Sequence, residues 1–189
     1  KSQSHIKDLI KLNLKNKNYF EAKSLLIKYL EDDLDKEDLS YALDNLSDIY
    51  LSEHQYDKYL DLTSKMDSIY QSLMMYDKLT KLELNKVKIA FDLGNFLQVI
   101  TLGNAFLQDD NHDNSSKVYV AALVIKSYIL SNDYKRAAII ESEYEEFVDS
   151  ASKDYATVFC RYAYELYTKT NTVISANQYR AKLDSLNSI

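Results

Sequence analysis

Apolar residues along this chain recur at helical intervals, in pairs of stripes separated by a short polar turn. In the second half of the chain, Ala121, Val124 and Tyr128 are spaced so that they share one helical face. The polar turn Ser131-Asn132-Asp133 follows, and Tyr134 begins a second stripe. The pattern therefore predicts a helix, a tight turn and a second helix.

The same unit recurs along the whole chain. Each second helix begins at an aromatic or apolar anchor, and these anchors are Tyr19, Tyr56, Phe96, Tyr134 and Val173. The intervals between consecutive anchors are 37, 40, 38 and 39 residues. Self-similarity on this scale is typical of helical repeat proteins, whose units must stack because neither helix buries its stripe alone. We therefore expect a single repeat domain over residues 1–189.

The predicted helix pairs are 4–15 with 19–30, 39–51 with 55–70, 73–93 with 96–107, 117–130 with 134–148, and 155–169 with 173–186. The chain contains no Pro and two Gly, which favours long uninterrupted helices. Asn, Asp and Ser supply the turns instead, because their side chains bond the local backbone.

These pairs resemble the tetratricopeptide repeat (TPR). The fourth pair follows the family's order of large, small and aromatic positions best, through Val124, Ile125, Tyr128, Tyr134, Ala137 and Tyr144. The second pair departs from the family pattern at Tyr59, where Ala is preferred, and the third has Lys86 at an apolar position. The resemblance implies an all-α, right-handed superhelical solenoid of about five antiparallel helix pairs. It also implies that the first helices line a concave ligand groove.

The family register predicts the residues of that concave face. They are Tyr41, Asn45, Asp48, Lys81, Asn85, Lys88, Tyr119, Lys126, Arg161 and Tyr162. Asn45 and Asn85 occupy equivalent places in successive repeats, and an amide can donate and accept hydrogen bonds at once. They could therefore hold the backbone of an extended peptide. The alternative is two solvated asparagines in an Asn-rich chain.

One segment partly resembles a calcium-binding loop. Asp109, Asn111 and Asp113 alternate as such a loop requires. The positions that need Gly and Glu hold Asn114 and Val120, so we expect a solvated connector.

Other reactive residues also favour structural roles. His5, His54 and His112 are far apart, and none has a second ligand at metal-binding spacing. The acidic run from Glu141 to Glu146 predicts a solvated helix face, and Cys160 lies on an apolar stripe typical of a core residue. We therefore expect no catalytic site, no cofactor and no metal.

The net charge of −6 argues against nucleic-acid binding by this segment. The sequence shows no membrane-spanning run and no signal peptide, so we expect a cytoplasmic protein. The chain begins with Lys rather than Met, and we expect it to be a fragment of a longer protein. A homodimer through the apolar face of a terminal repeat is consistent with a solenoid.

The expected function is peptide or protein binding in the concave groove, without catalysis. More loosely, the repeats resemble the peptide-sensing domains of Gram-positive transcriptional regulators, in which a repeat domain binds a short imported peptide. One alternative is an interaction scaffold with no small ligand. Another is a relative of the repeat-domain phosphatases of response regulators, which act through a separate N-terminal helical bundle not seen here.

Overall fold

The computed structural model describes residues 3–188, which form helices joined by turns. The α-helices are α1 (Gln3–Lys15), α2 (Tyr19–Tyr29), α3 (Lys36–Ser52), α4 (Tyr56–Ser72), α5 (Tyr76–Asp92), α6 (Phe96–Gln108), α7 (Asn114–Leu130), α8 (Tyr134–Tyr144), α9 (Lys153–Lys169) and α10 (Val173–Asn187). A short 3₁₀ helix, Glu145–Ser150, follows α8, and the described range contains no β-strand. The all-α architecture of paired helices predicted from the sequence is confirmed.

Within each pair, a three-residue turn reverses the chain, and its middle residue has a left-handed backbone. These middle residues are Lys17, His54, Gly94, Asn132 and Asn171, with φ between 55° and 71°. In the turn after α7, the Asp133 N–H donates to the Tyr128 carbonyl at 2.9 Å, and the Asn132 N–H donates to the Ile129 carbonyl at 3.0 Å. These two bonds satisfy carbonyl groups that the helix end would leave unpaired.

The same turn also joins α4 to α5, where we expected the third pair to start around Leu73. Met74 has φ 55°, and the Met75 N–H donates to the Tyr70 carbonyl at 2.9 Å. Helix α5 therefore begins at Tyr76, three residues later than predicted.

Longer connections lead into α3, α7 and α9. The side chains of Asp35, Asp113 and Ser152 cap these three helices. Each accepts a hydrogen bond from the backbone N–H of the third helical residue, which fixes where the helix begins.

Contacts within the chain divide it into two compact units, one ending at Leu82 and the other starting at Glu83. The single domain expected over residues 1–189 stays a prediction. The core of the first unit contains the buried side chains of Ile10, Leu26, Tyr29, Leu43, Leu46, Tyr59 and Tyr70. The Tyr29 hydroxyl donates to Asp38 at 2.8 Å, so this buried ring packs between helices with its polar end satisfied.

In the second unit, α7 is buried on nearly every side. Residues 118–125 are all buried except Tyr119, which is half-buried, and α6, α8 and α9 all pack against this helix. Helix α6 packs closely on α7 at Gly103, where an added Cβ would lie 2.4 Å from Cγ2 of Val124. Glycine is therefore required there by the approach of two helices.

The acidic run at the end of α8 is less solvated than we expected. Its later glutamates are exposed, but Glu141 is 3% exposed. The hydroxyls of Tyr167 and Tyr179 both donate to the Glu141 carboxylate. Burial, together with the bond to this carboxylate, raises the pKa of both phenols far above its usual value. The prediction was wrong at Glu141 because its partners come from α9 and α10, far along the sequence.

Cys160 is completely buried in α9, which confirms its expected place in the core. Burial raises the pKa of its thiol to about 11. The thiol therefore stays protonated near neutral pH, where a thiolate would be needed for nucleophilic chemistry.

Candidate functional site

In the first unit, the predicted ligand-contacting residues lie on α3 and α5. Tyr41 is half-buried, with the Lys7 ammonium 5.2 Å from its ring centroid. Asn45 donates from Nδ2 to the Tyr41 carbonyl at 2.8 Å, so part of its amide is occupied by its own helix. Lys81 donates to Asp48 at 3.2 Å, and both side chains are largely exposed. The peptide clamp expected at Asn45 stays a prediction.

In the second unit, the predicted residues Tyr119 and Tyr162 lie on the neighbouring helices α7 and α9, and α9 carries a third tyrosine nearby. Tyr119 of α7 stacks on Tyr155 of α9, with ring centroids 4.6 Å apart and an interplanar angle of 23°. Tyr162 lies two turns further along α9, and its ring is 6.3 Å from that of Phe91. We call Tyr119, Tyr155 and Tyr162 the tyrosine cluster. All three side chains are half-buried.

An ion pair fixes one side of the tyrosine cluster. The Lys126 ammonium lies 2.7 Å from both carboxylate oxygens of Glu165. It also lies 5.6 Å from the centroid of the Tyr162 ring, within range of a cation–π interaction. The predicted residue Lys126 is therefore held between α7 and α9, and it orders the surface around Tyr162.

The hydroxyls of Tyr119 and Tyr155 hold their protons more tightly than an ordinary tyrosine does. Burial raises the pKa of Tyr119 to about 12, and the nearby charge of Asp92 adds to the effect. Burial also raises the pKa of Tyr155. Both phenols can therefore donate hydrogen bonds to a ligand at any physiological pH.

Two other predicted cations, unlike Lys126, lie on the solvent-exposed surface of their helices. Lys88 on α5 and Arg161 on α9 are exposed. Within the described residues, neither makes an ion pair or hydrogen bond inside the second unit. The remaining predicted residue, Asn85, is half-buried on α5.

Sequence reasoning missed Tyr155 and Phe91. Tyr155 lies seven residues before Tyr162 on the same helix, so the helical interval could have placed both on one face. Phe91 lies off the predicted face of α5, and no local signal indicated that its ring would reach Tyr162.

A second group of polar side chains lies at the junction of α5, α6 and the connection to α7. Nε2 of His112 is 2.8 Å from a carboxylate oxygen of Glu83 and 3.8 Å from one of Asp109. These three ligand-type atoms all lie within 4.8 Å of one another. We call Glu83, Asp109 and His112 the histidine–carboxylate cluster. Sequence spacing missed it because Glu83 lies 29 residues before His112.

No protein-family model matches the chain, and no curated protein matches it. Solved structures do match. BtubC (BKLC) from P. vanneervenii superposes with a TM-score of 0.69 at 15% identity, covering 98% of this chain and 79% of that one. The nearly identical TPR-like repeats of a candidate kinesin light chain from Podosopora anserina superpose with a TM-score of 0.65 at 11% identity, covering 100% of this chain and 97% of that one.

A variant of those repeats with a single substitution superposes equally well, with a TM-score of 0.65 at 10% identity over 98% of this chain and 94% of that one. Identities this low show the fold alone. The chain has a TPR-like helical-repeat fold, as the sequence resemblance implied. Over residues 3–188, none of the helices combines the length and apolar character that crossing a bilayer requires.

Proposed function

We propose that this chain is a non-catalytic binding module that recognises a peptide or protein segment at the tyrosine cluster of its second unit. The observation that carries the proposal is the stacking of Tyr119 on Tyr155, with Tyr162 two turns further along α9 beside the Lys126–Glu165 ion pair. Folds built from stacked helix pairs commonly bind partners along an extended surface. Tyrosine suits such a surface because its ring packs apolar groups while its hydroxyl bonds polar ones.

The cluster is ordered before any ligand arrives. Stacking holds Tyr119 and Tyr155, and the two bonds from Lys126 to Glu165 fix the cation beside Tyr162. A ligand that binds such rings loses little free energy to ordering the protein side chains. Because the three side chains are only half-buried, part of each stays accessible to a partner.

Charges of both signs lie around the cluster, because Asp92 is near Tyr119, and Asp113 and Asp154 are near Tyr155. Lys88 and Arg161 are exposed cations without an ion-pair partner in the described part of the second unit. Lys126 is already neutralised by Glu165, and Arg161 directly precedes Tyr162 on α9, so Arg161 is the cation that we assign to a ligand carboxylate. We therefore infer an extended segment with apolar or aromatic side chains and at least one acidic group.

A narrower form of the proposal makes the ligand a short signalling peptide and the chain the sensing part of a bacterial transcriptional regulator. Its support is the architectural resemblance of the repeats to such regulators. The alternative is a scaffold that binds a folded protein partner. Recovery of short peptides with saturable affinity supports the narrower form, and binding restricted to folded proteins supports the scaffold.

The test is selection from a random peptide library displayed on phage, followed by fluorescence anisotropy with the recovered peptides. Arg161→Glu should weaken binding by roughly tenfold or more, because it places a negative charge at the proposed site. Arg180→Glu is the matched control, since Arg180 is exposed on α10 and the charge change is the same. Equal effects of the two variants would contradict the proposed location.

The same assay tests the asparagine clamp. Asn45→Ala and Asn85→Ala should be tolerated by the helices, because alanine has the higher helix propensity. If the double variant binds the recovered peptides as tightly as the native chain, the two amides do not hold the peptide backbone.

A further inference from the structure

We infer that the histidine–carboxylate cluster is a binding site for a divalent transition-metal ion, with Zn²⁺ as its best-suited occupant. Glu83 comes from α5, Asp109 from the end of α6, and His112 from the connection to α7. Their ligand-type atoms converge within 4.8 Å. The site is separate from the tyrosine cluster and does not depend on the proposed binding function.

The donor set suits zinc chemically. One imidazole nitrogen and two carboxylate oxygens form a mixed N/O site, of the kind that Zn²⁺ and its neighbours in the first transition row prefer. Zinc bonds to such atoms are about 2.0–2.2 Å long, so tetrahedral ligands lie about 3.3–3.6 Å apart. The observed separations from Nε2 of His112 are 2.8 Å and 3.8 Å. These two separations lie on either side of the tetrahedral value, and all three ligand-type atoms lie within 4.8 Å of one another.

The protein already orients two of the three ligands. The His112 ring stacks on Phe106 with centroids 3.8 Å apart and planes at 13°, and its side chain is 4% exposed. One oxygen of Asp109 accepts hydrogen bonds from the backbone N–H and the side-chain amide of Asn111, at 2.9 Å and 2.8 Å. The other Asp109 oxygen is the one nearest His112. Outer contacts of this kind fix ligand orientation in known metal sites.

The site is open on the carboxylate side. The Glu83 and Asp109 side chains are 44% and 42% exposed, which leaves an entry path and room for a solvent ligand. They line a cavity of about 220 Å³ together with Lys86, Leu102, Ala105 and Phe106. Three protein ligands with an open fourth position is an arrangement that zinc adopts outside fully closed structural sites.

Two cations oppose metal binding and set a limit on its affinity. Lys86 lines the same cavity, and Lys117 lies close enough to Asp109 for their charges to interact. The competing arrangement is a protonated His112 paired with Glu83 in place of a metal. Metal titration separates the two, because a histidine–carboxylate ion pair needs no metal and gains nothing from one.

The experiment is calorimetric titration of the chelator-treated full chain with ZnCl₂, with CaCl₂ and MgCl₂ as comparators. We expect one Zn²⁺ to bind per chain, and Ca²⁺ and Mg²⁺ to bind far more weakly. Glu83→Gln and Asp109→Asn should each weaken zinc binding by roughly tenfold or more. Asp110→Asn is the matched control, because Asp110 is the exposed neighbour outside the cluster and should leave binding unchanged.

Two further variants keep the test decisive. His112→Phe can still stack on Phe106, so it should fold and yet lose zinc binding. Lys86→Gln removes a competing charge, so it should tighten zinc binding. No stoichiometric binding by the native chain would overturn the inference. Equal binding by Asp109→Asn and Asp110→Asn, or retained binding by folded His112→Phe, would also overturn it.

Discussion

Replacing Gly103 by alanine should destabilise the second unit by driving α6 away from α7. The new Cβ would lie 2.4 Å from Cγ2 of Val124 and 3.4 Å from Cγ1 of Val120. Favourable carbon–carbon contacts lie at about 3.5–4.0 Å, so the closer contact is too short by roughly 1 Å. Val124 is completely buried and β-branched, so rotation of its side chain offers little relief.

The expected cost combines two opposed effects. Overpacking of a filled core costs about 1–3 kcal/mol, and a stiff, buried partner places this contact in the upper part of that range. Alanine in a helix interior recovers about 1 kcal/mol relative to glycine. The net destabilisation should therefore be about 1–2 kcal/mol, which lowers the melting temperature by roughly 2–8 °C in a chain of this size.

A double-mutant cycle measured by thermal and urea unfolding, followed by circular dichroism, checks the cause. Val124→Ala removes Cγ2 of Val124, the atom that the new Cβ would approach. In that background, Gly103→Ala should therefore cause no loss in the free energy of unfolding. Gly94→Ala is the matched control: an added Cβ there meets nothing within 4 Å, and its cost comes from the left-handed φ of 71°. That cost should not depend on Val124. A neutral Gly103→Ala, or a penalty that persists beside Val124→Ala, would refute the steric explanation.

Three other predictions follow from buried or strained positions. Met74→Gly should raise the free energy of unfolding in urea by about 0.5–1 kcal/mol, because glycine removes the steric strain of the left-handed backbone at this position. The Met74 side chain is 73% exposed, so little packing is lost with it. A lower free energy of unfolding would show that the side chain contributes to stability. Glu141→Ala should lower the free energy of unfolding by about 1–3 kcal/mol in the same assay, because the hydroxyls of Tyr167 and Tyr179 lose their hydrogen-bond acceptor. Glu143→Ala is the control and should change stability little, because Glu143 is exposed. Because the pKa of Tyr119 is raised to about 12, the native state holds this proton more tightly than the unfolded chain, so stability should fall as pH rises from about 10 through 12. Tyr119→Phe should reduce that fall, and an unchanged pH profile would contradict the assignment.

The helix pairs could be predicted from sequence because periodicity and turn chemistry are local. Anchors such as Tyr134, and the polar turn before it, carry the signal within a few residues. The turn at Met74 was not predicted from the sequence, because methionine is not a typical turn residue. Only the backbone hydrogen bonds define this turn.

Side-chain partnerships across repeats could not be predicted in the same way. Glu141 looks solvated in sequence, yet its partners Tyr167 and Tyr179 are 26 and 38 residues away. The cluster around His112 likewise depends on Glu83, a residue in the preceding helix pair. A helical stripe indicates that a face is buried, but it does not indicate which side chain of a later helix will meet it.

The burial of α7 on nearly every side has a consequence for how the chain is made. Residues 118–125 read Val-Tyr-Val-Ala-Ala-Leu-Val-Ile, an uncharged segment rich in strand-forming residues and without proline. Such segments are prone to intermolecular β-association whenever they are exposed. During synthesis this helix leaves the ribosome before α9, which covers part of it in the native fold. A nascent or truncated chain that ends before Lys153 lacks α9 and leaves part of this segment exposed, so we expect it to aggregate.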